Sequence, residues 1–185
     1  MQVDVHDLRE FSHNKHHKVD DRPFGGGAGM VMMPDPLFSC LEHVKARQNG
    51  HVILFSAYGP VLTQTRVKEL AALDHLILVC GRYEGVDQRF IDACVDEELS
   101  LGEYVLMGGE LAAGVVLEAV SRMLPGVVGN PESVTTDSFY FDDQYAFPQY
   151  TQPRDYRGLS VPDVLLNGNH ADIDHWRKTK QKRRI

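Results

Sequence analysis

The sequence is poor in cysteine, and what it has forms no pattern. Cys40, Cys80 and Cys94 are odd in number and widely spaced, with no C-x-x-C pair. Neither a disulfide framework nor a zinc cluster is indicated. Cys80 closes the apolar run HLILVC and reads as packing, not as a nucleophile. No apolar run approaches the length of a membrane span, and MQVDVHDLRE lacks the basic start and apolar stretch of a signal peptide. The expectation is a soluble, cytoplasmic protein with no membrane partner. There is no G-x-G-x-x-G and no phosphate-binding P-loop, and no internal repeat or low-complexity tract. His13, His16 and His17 read as solvated histidines, so no metal ligands are assigned.

What is present is ordinary globular usage over 185 residues, 43% hydrophobic and 24% charged, enough for one domain with a small appendage. The net charge of −7 speaks against a protein coated with nucleic acid. Yet WRKTKQKRRI at the end is a basic run, and HNKHHK is a weaker one. A basic patch on an acidic body still binds RNA, although either run alone reads equally as a solvated tail.

Along the chain VDVHDL alternates like a strand, and residues 35–48 read as a helix opening at Asp35 with Pro36 in its first position. HVILFS (51–56) and HLILVC (75–80) read as strands covered on both faces. TRVKELAALD (65–74) and VDQRFIDACVD (86–96) read as helices. EELSLGEYVL (97–106) is a short strand running into a turn, and GELAAGVVLEAVSRML (109–124) is the longest helix. Alternating strands and helices imply an α/β fold, a mostly parallel sheet with helices on both faces. Ligands of such sheets sit at the carboxyl ends of the strands. The expected division is residues 1–129 as the α/β domain, 130–160 as an aperiodic linker or ordered loop, and 161–185 as a capped basic helix.

Three glycine-containing turns follow three predicted strands: SAYG (56–59), CGRYEG (80–85) and LGEYVLMGGE (101–110). Each alone reads as a tight turn. Together they can line one crevice with main-chain groups able to read an adenine edge and a ribose. Glu84 adds a carboxylate suited to a ribose hydroxyl pair or a cationic ligand. Asp137, taken alone, reads as a turn cap, and Arg122 as a helix-end arginine answering the helix dipole. The glycines of DDRPFGGGAGM permit close approach of a ligand or another chain, and Asp20, Asp21 and Arg22 are candidates to meet substrate or a neighbouring subunit.

The segments DDRPFGGGAGMVM, LVCGRYEGVDQR, SLGEYVLMGGELAA, SRMLPGVVGN, TDSF, PQYTQPRDYRG and VPDVLLNGNHADIDHWR together resemble the TrmD-type tRNA (guanine-N1)-methyltransferases of the SPOUT class, in the family's order and over nearly the whole chain. The resemblance implies a deep trefoil knot and an S-adenosylmethionine site built by the knot loops. Carried over residue by residue, that site comprises Leu54, Phe55, Ser56, Gly59, Gly81, Tyr83, Glu84, Leu101, Gly102, Tyr104, Leu106, Gly108 and Gly109. It makes Asp137 the general base and Arg122 its partner, with Mg2+ held open as an accessory ion. It implies tRNA as substrate, methylation of guanosine 37 beside the anticodon to 1-methylguanosine, and a homodimer. Two alternatives stay open: a SPOUT methyltransferase acting on another RNA, and a non-catalytic RNA-binding remnant. The sequence departs from the family pattern at Ala28, Ala57, Tyr58 and Thr136, none of them a proposed catalytic group. The resemblance also leads one to expect a missing first strand before Val3 and a truncated helical C-terminal domain.

Overall fold

The computed structural model describes residues 1–141 and 144–183; the last two residues of the basic run, Arg184 and Ile185, lie outside the described residues. The chain divides into two compact units, Met1–Val127 and Val128–Ile185.

In the first unit a 3-10 turn, Leu8–Phe11, precedes a short antiparallel pair, β1 (Asp20–Asp21) and β2 (Val31–Met32). Then follow α1 (Pro34–Arg47), β3 (His51–Phe55), α2 (Gln64–Ala71), β4 (Leu76–Val79), α3 (Gln88–Cys94), β5 (Glu97–Leu99) and α4 (Glu110–Met123). The three longer strands form one parallel sheet in the order β4-β3-β5, with Ile53 opposite both Leu78 and Glu97. β3 is apolar from Val52 onward because it lies in the middle: Val52, Ile53 and Leu54 are buried. Its side chains alternate between two cores. Ile53 packs with Val67 and Leu70 of α2, Leu99 of β5, and Val116 and Val120 of α4. Val52 packs on the other face with Met32, Leu37 and Leu41 of α1, and Phe90 of α3. The parallel sheet with helices on both faces is therefore present as the sequence implies.

Two local expectations are corrected. VDVHDL is not a strand. Val5 is 90% exposed, and among the described residues no strand pairs with this segment. Alternation alone cannot make a ladder without a partner. Instead the turn at Leu8–Phe11 leans on α1, where Phe11 and His43 rings lie 5.3 Å apart. The first helix opens one position earlier than expected, with Met33 as its cap and Pro34 in the first turn, where a missing N–H costs nothing.

The second unit holds α5 (Pro131–Thr135), a hairpin of β6 (Asp155–Tyr156) and β7 (Leu159–Ser160), a 3-10 turn Asp163–Leu165, and α6 (His170–Lys180). The hairpin turns through Arg157 and Gly158, both at positive φ (54° and 81°), as a tight two-residue turn requires. α6 is capped by Asn169, whose side chain accepts the Ala171 N–H at 3.1 Å. Residues 130–160, read as aperiodic, thus contain a short helix and a hairpin too small to leave a periodic signal.

Candidate active site

Parallel strands send their loops off the same edge of the sheet. Here the loops after β3, β4 and β5 begin at Ser56, Cys80 and Ser100. The first and third are laced together by main-chain bonds: Ser56 N–H to Leu99 O (3.1 Å), Ser100 N–H to Pro60 O (2.9 Å) and Leu62 N–H to Ser100 O (2.8 Å). Between them lies a groove of about 480 Å³ lined by Ala57, Gly59, Pro60, Val61, Ser100, Gly102, Glu103, Tyr104 and Val105. Gly59 is required there, because a β-carbon would meet the Glu98 carbonyl at 2.4 Å. The buried Ser100 hydroxyl donates to Gly102 O at 3.1 Å and accepts the Gly102 N–H at 3.2 Å, which shapes the turn beneath Tyr104.

The loop after β4 joins the start of α4. Gly109 N–H donates to Gly81 O at 2.9 Å, and a β-carbon on Gly109 would stand 2.7 Å from Cys80 Cα. Arg82 Nε donates to Glu110 Oε1 at 2.8 Å across the same junction. Arg82 holds the Glu110 carboxyl below the usual carboxylate range. Burial, and after it the Glu110 charge, push the Cys80 thiol up to about 11. Cys80 therefore stays a thiol at neutral pH, in keeping with its reading as packing.

The β1–β2 pair is strapped onto this loop. Glu84 N–H donates to Met30 O (2.9 Å), Met32 N–H to Gly85 O (2.9 Å) and Asp87 N–H to Met32 O (3.1 Å). A β-carbon on Gly29 would meet the Glu84 side chain at 2.4 Å, so Glu84 lies against the glycine-rich segment.

Of the residues assigned from sequence, the structure brings Gly59, Gly102 and Tyr104 onto the groove and joins Gly81, Gly108 and Gly109 at the neighbouring junction. Ser56 and Phe55 lead into the groove's first wall, and Leu101 into its second. Leu54 is buried, with its side chain beneath Gly81. Tyr83 (at φ 61°), Glu84 and Leu106 are exposed and do not line the groove. Ser100, Glu103 and the Pro60–Val61 wall were not singled out from the sequence. The S-x-G spacing at the end of β5 is the signal that marks Ser100. Arg122 is exposed in the last turn of α4 in the first unit. Asp137 is half-buried just past α5 in the second, its N–H donating to Val134 O at 3.3 Å.

A second concavity, about 560 Å³, shares Gly59 and Pro60 and is lined by ion-paired side chains. Arg66 of α2 donates through Nε to Glu97 Oε1 at 2.9 Å and through Nη1 to Glu69 at 2.7 Å, and His51 Nε2 lies 2.9 Å from Glu97 Oε2. Burial pushes the Glu97 carboxyl up, but hydrogen bonds from Arg66 and His51 outweigh it and hold it below the ordinary value. This network fastens α2 to β3 and β5. Among the described residues no group of three or more His, Cys, Asp or Glu side chains is arranged to hold a metal, and no helix is long and apolar enough to cross a membrane.

The family described as tRNA (Guanine-1)-methyltransferase TrmD matches residues 1–185. The chain belongs to the TrmD family. It is 51% identical over 181 residues to a protein of Desulforamulus reducens named tRNA (guanine-N(1)-)-methyltransferase, covering 96% of this chain and 71% of that relative. Proteins of the same name from Pediococcus pentosaceus and Clostridioides difficile are 49% and 46% identical. They cover 97% and 99% of this chain, and 74% and 80% of their own lengths.

Proposed function

We propose that this chain is an S-adenosylmethionine-dependent tRNA (guanine-N1)-methyltransferase, acting on guanosine 37 beside the anticodon to form 1-methylguanosine. The observation that carries the reading is the family match along the whole chain, joined to a groove at the carboxyl edge of a parallel sheet, where such folds bind ligands. The groove suits the methyl donor. Its volume lies in the range of small-molecule sites. Main-chain groups flank Gly59 and Gly102, where the backbone can approach a ligand closely. The Tyr104 ring and the Glu103 carboxylate suit an adenosine and a cationic group respectively.

S-adenosylmethionine, when bound, supplies an electrophilic methyl group. The chain's residues must prepare the other partner. Guanine N1 carries a proton and is a poor nucleophile at neutral pH. In the proposed mechanism the Asp137 carboxylate takes that proton. The Arg122 guanidinium stabilises the negative charge that develops on O6. The remaining assignments belong to the same proposal: Leu54, Phe55, Ser56, Gly81, Tyr83, Glu84, Leu101, Leu106, Gly108 and Gly109 frame the donor site, and the laced loops form the trefoil knot. Residues 161–185 serve as part of a helical tRNA-binding domain, residues 130–160 as the linker and active-site loop, and the protein works as a homodimer in the cytoplasm on tRNA.

Methyl transfer to tRNA transcripts carrying G or A at position 37 tests the reading. Incorporation into the G transcript alone, recovered as 1-methylguanosine, is the expected result. Equal labelling of both transcripts, or methyl groups found on ribose, would show a different RNA methyltransferase. No labelling of either would leave an RNA-binding protein without this chemistry.

A further inference from the structure

Phe24 is 99% exposed, the most exposed large apolar side chain among the described residues. A lone exposed aromatic means little by itself. What distinguishes this one is its mounting. It stands in the loop between Asp21 and Val31, the two paired residues that close the β1–β2 hairpin. Gly25, Gly26 and Gly27 follow it at φ of 86°, 81° and 124°, and a β-carbon on any of the three would meet nothing within 4 Å. The loop thus holds its ring in open space through backbone shapes that side-chain-bearing residues rarely adopt.

The leg that ends the loop is anchored directly, and the leg that opens it is held to that one by the β1–β2 pairing and by Met33 N–H on Val19 O at 2.8 Å. The strap bonds described above tie Met30 and Met32 to Glu84, Gly85 and Asp87. The segment they grip is in turn tied at Gly81 to Gly109, and at Arg82 to Glu110. The residues just before that junction, Ser100 to Val105, form one wall of the groove. Phe24 is therefore carried on the framework that holds the methyl-donor groove, not on a loose end.

The charges around it narrow the partner. Arg22 stands two residues before the ring, and the segment leading to it holds Lys15, His16, His17 and Lys18. Asp20 and Asp21 form the strand next to Arg22, and Lys18 Nζ lies 3.9 Å from Asp21. This alternation of signs suits a splayed-out base beside a single phosphate better than the continuous phosphate ridge of a duplex. A flat ring with open faces binds a nucleobase by stacking, which is tolerant of base identity.

We propose that Phe24 is a substrate-positioning residue that stacks on an unpaired base flanking the guanine to be methylated. The inference rests on the tRNA reading given above. The test compares Phe24→Ala, Phe24→Leu and Phe24→Tyr in the full chain, with two readouts. The first is steady-state methylation of tRNA. Phe24→Ala should raise KM for tRNA about tenfold, the effect of removing one stacked ring, with kcat and S-adenosylmethionine affinity little changed. Phe24→Tyr should restore KM and Phe24→Leu should not, because a leucine supplies apolar area but no π-face. The second needs no turnover: an anticodon stem-loop with 2-aminopurine on either side of the target guanine should be quenched by the wild-type chain and by Phe24→Tyr, and not by Phe24→Ala.

Three results overturn the proposal alone, with the wild-type chain still methylating tRNA. They are an unchanged KM and unchanged quenching in Phe24→Ala, full recovery by Phe24→Leu, and a fall in sedimenting mass in Phe24→Ala, which would mean the ring packs on a second copy of the chain. A wild-type chain that neither methylates tRNA nor quenches the stem-loop would instead remove the reading on which the proposal stands, and the proposal with it.

Discussion

At the scale of single residues, Asp137 and Glu97 are both carboxylates with different assignments. Asp137 is half-buried beyond α5, in a turn closed by the Tyr140 N–H on its carbonyl at 3.3 Å, and its proposed work is to take a proton. Asp137→Asn should lower turnover by about 100-fold or more, while calorimetry shows S-adenosylmethionine binding intact; a variant that kept most of its turnover would remove Asp137 as the base. Glu97 is structural. Its carboxyl is held below the ordinary 4.5 by Arg66 and His51 against the cost of burial. A depressed acid stabilises the folded state fully above its unfolded pKa, and that contribution fades as pH falls through the folded value. Wild-type urea midpoints should therefore decline as pH drops below 4.5. Glu97→Gln should be less stable at neutral pH and should decline less steeply. An equally steep decline in the variant would assign the acid sensitivity elsewhere. Neither role could be read locally. Asp137 owes its assignment to the TTDSF motif as a family mark, and Glu97 looks like any strand-start glutamate until the fold brings Arg66 and His51 to it.

Among the elements, α6 is the one most open to two readings. It is capped at Asn169 and ends in a turn carrying Arg177, Lys178 and Lys180. Replacing Lys178, Lys180, Lys182 and Arg183 with glutamine should weaken tRNA binding. The log–log salt slope should flatten by about 0.7–0.9 for each phosphate no longer neutralised, with S-adenosylmethionine affinity unchanged; an unaltered RNA affinity would return the run to a solvated tail. The elements that sequence pattern recovered are those whose burial writes a long enough signal: the apolar β3 and β4, and α4 with Ala112, Val116 and Val120 on its inner face. The pattern misled at VDVHDL, where alternation was real but no partner strand exists among the described residues. It was silent at β6 and β7, two residues each. The helix at Pro131 had a usable mark, Asn130 followed by Pro131 in the cap and first-turn positions. Of the three turns that the sequence grouped into one crevice, those after β3 and β5 line the groove and the one after β4 does not. The lacing of Pro60 to Ser100 joins residues far apart in sequence, and local periodicity carries no information on such pairings.

On the scale of the whole molecule, α4 has a second face. Leu111 is 77% exposed and Val115 48%, one turn apart and opposite the buried stripe, while Val105 and Met107 just before the helix are about 90% exposed. A run of apolar surface of this kind supports the proposed homodimer, closed two-fold contacts being the commonest. Sedimentation should find a dimer at micromolar concentration and a monomer for Leu111→Glu; a monomeric wild-type chain would end the proposal of a homodimer. The strap between residues 30–32 and 84–87 has a different consequence for the chain as an object of variation. Its three hydrogen bonds use main-chain donors and acceptors only, so exchanging the side chains along it leaves the bonds standing. Proline at Met32, Glu84 or Asp87 would delete a donor, and a side chain at Gly85 would be strained at φ 126°. The junction thus tolerates drift in its exposed side chains, though not at the buried Met32, while forbidding a handful of backbone changes. A library of substitutions across it should reveal that asymmetry as broad acceptance broken at a few fixed positions.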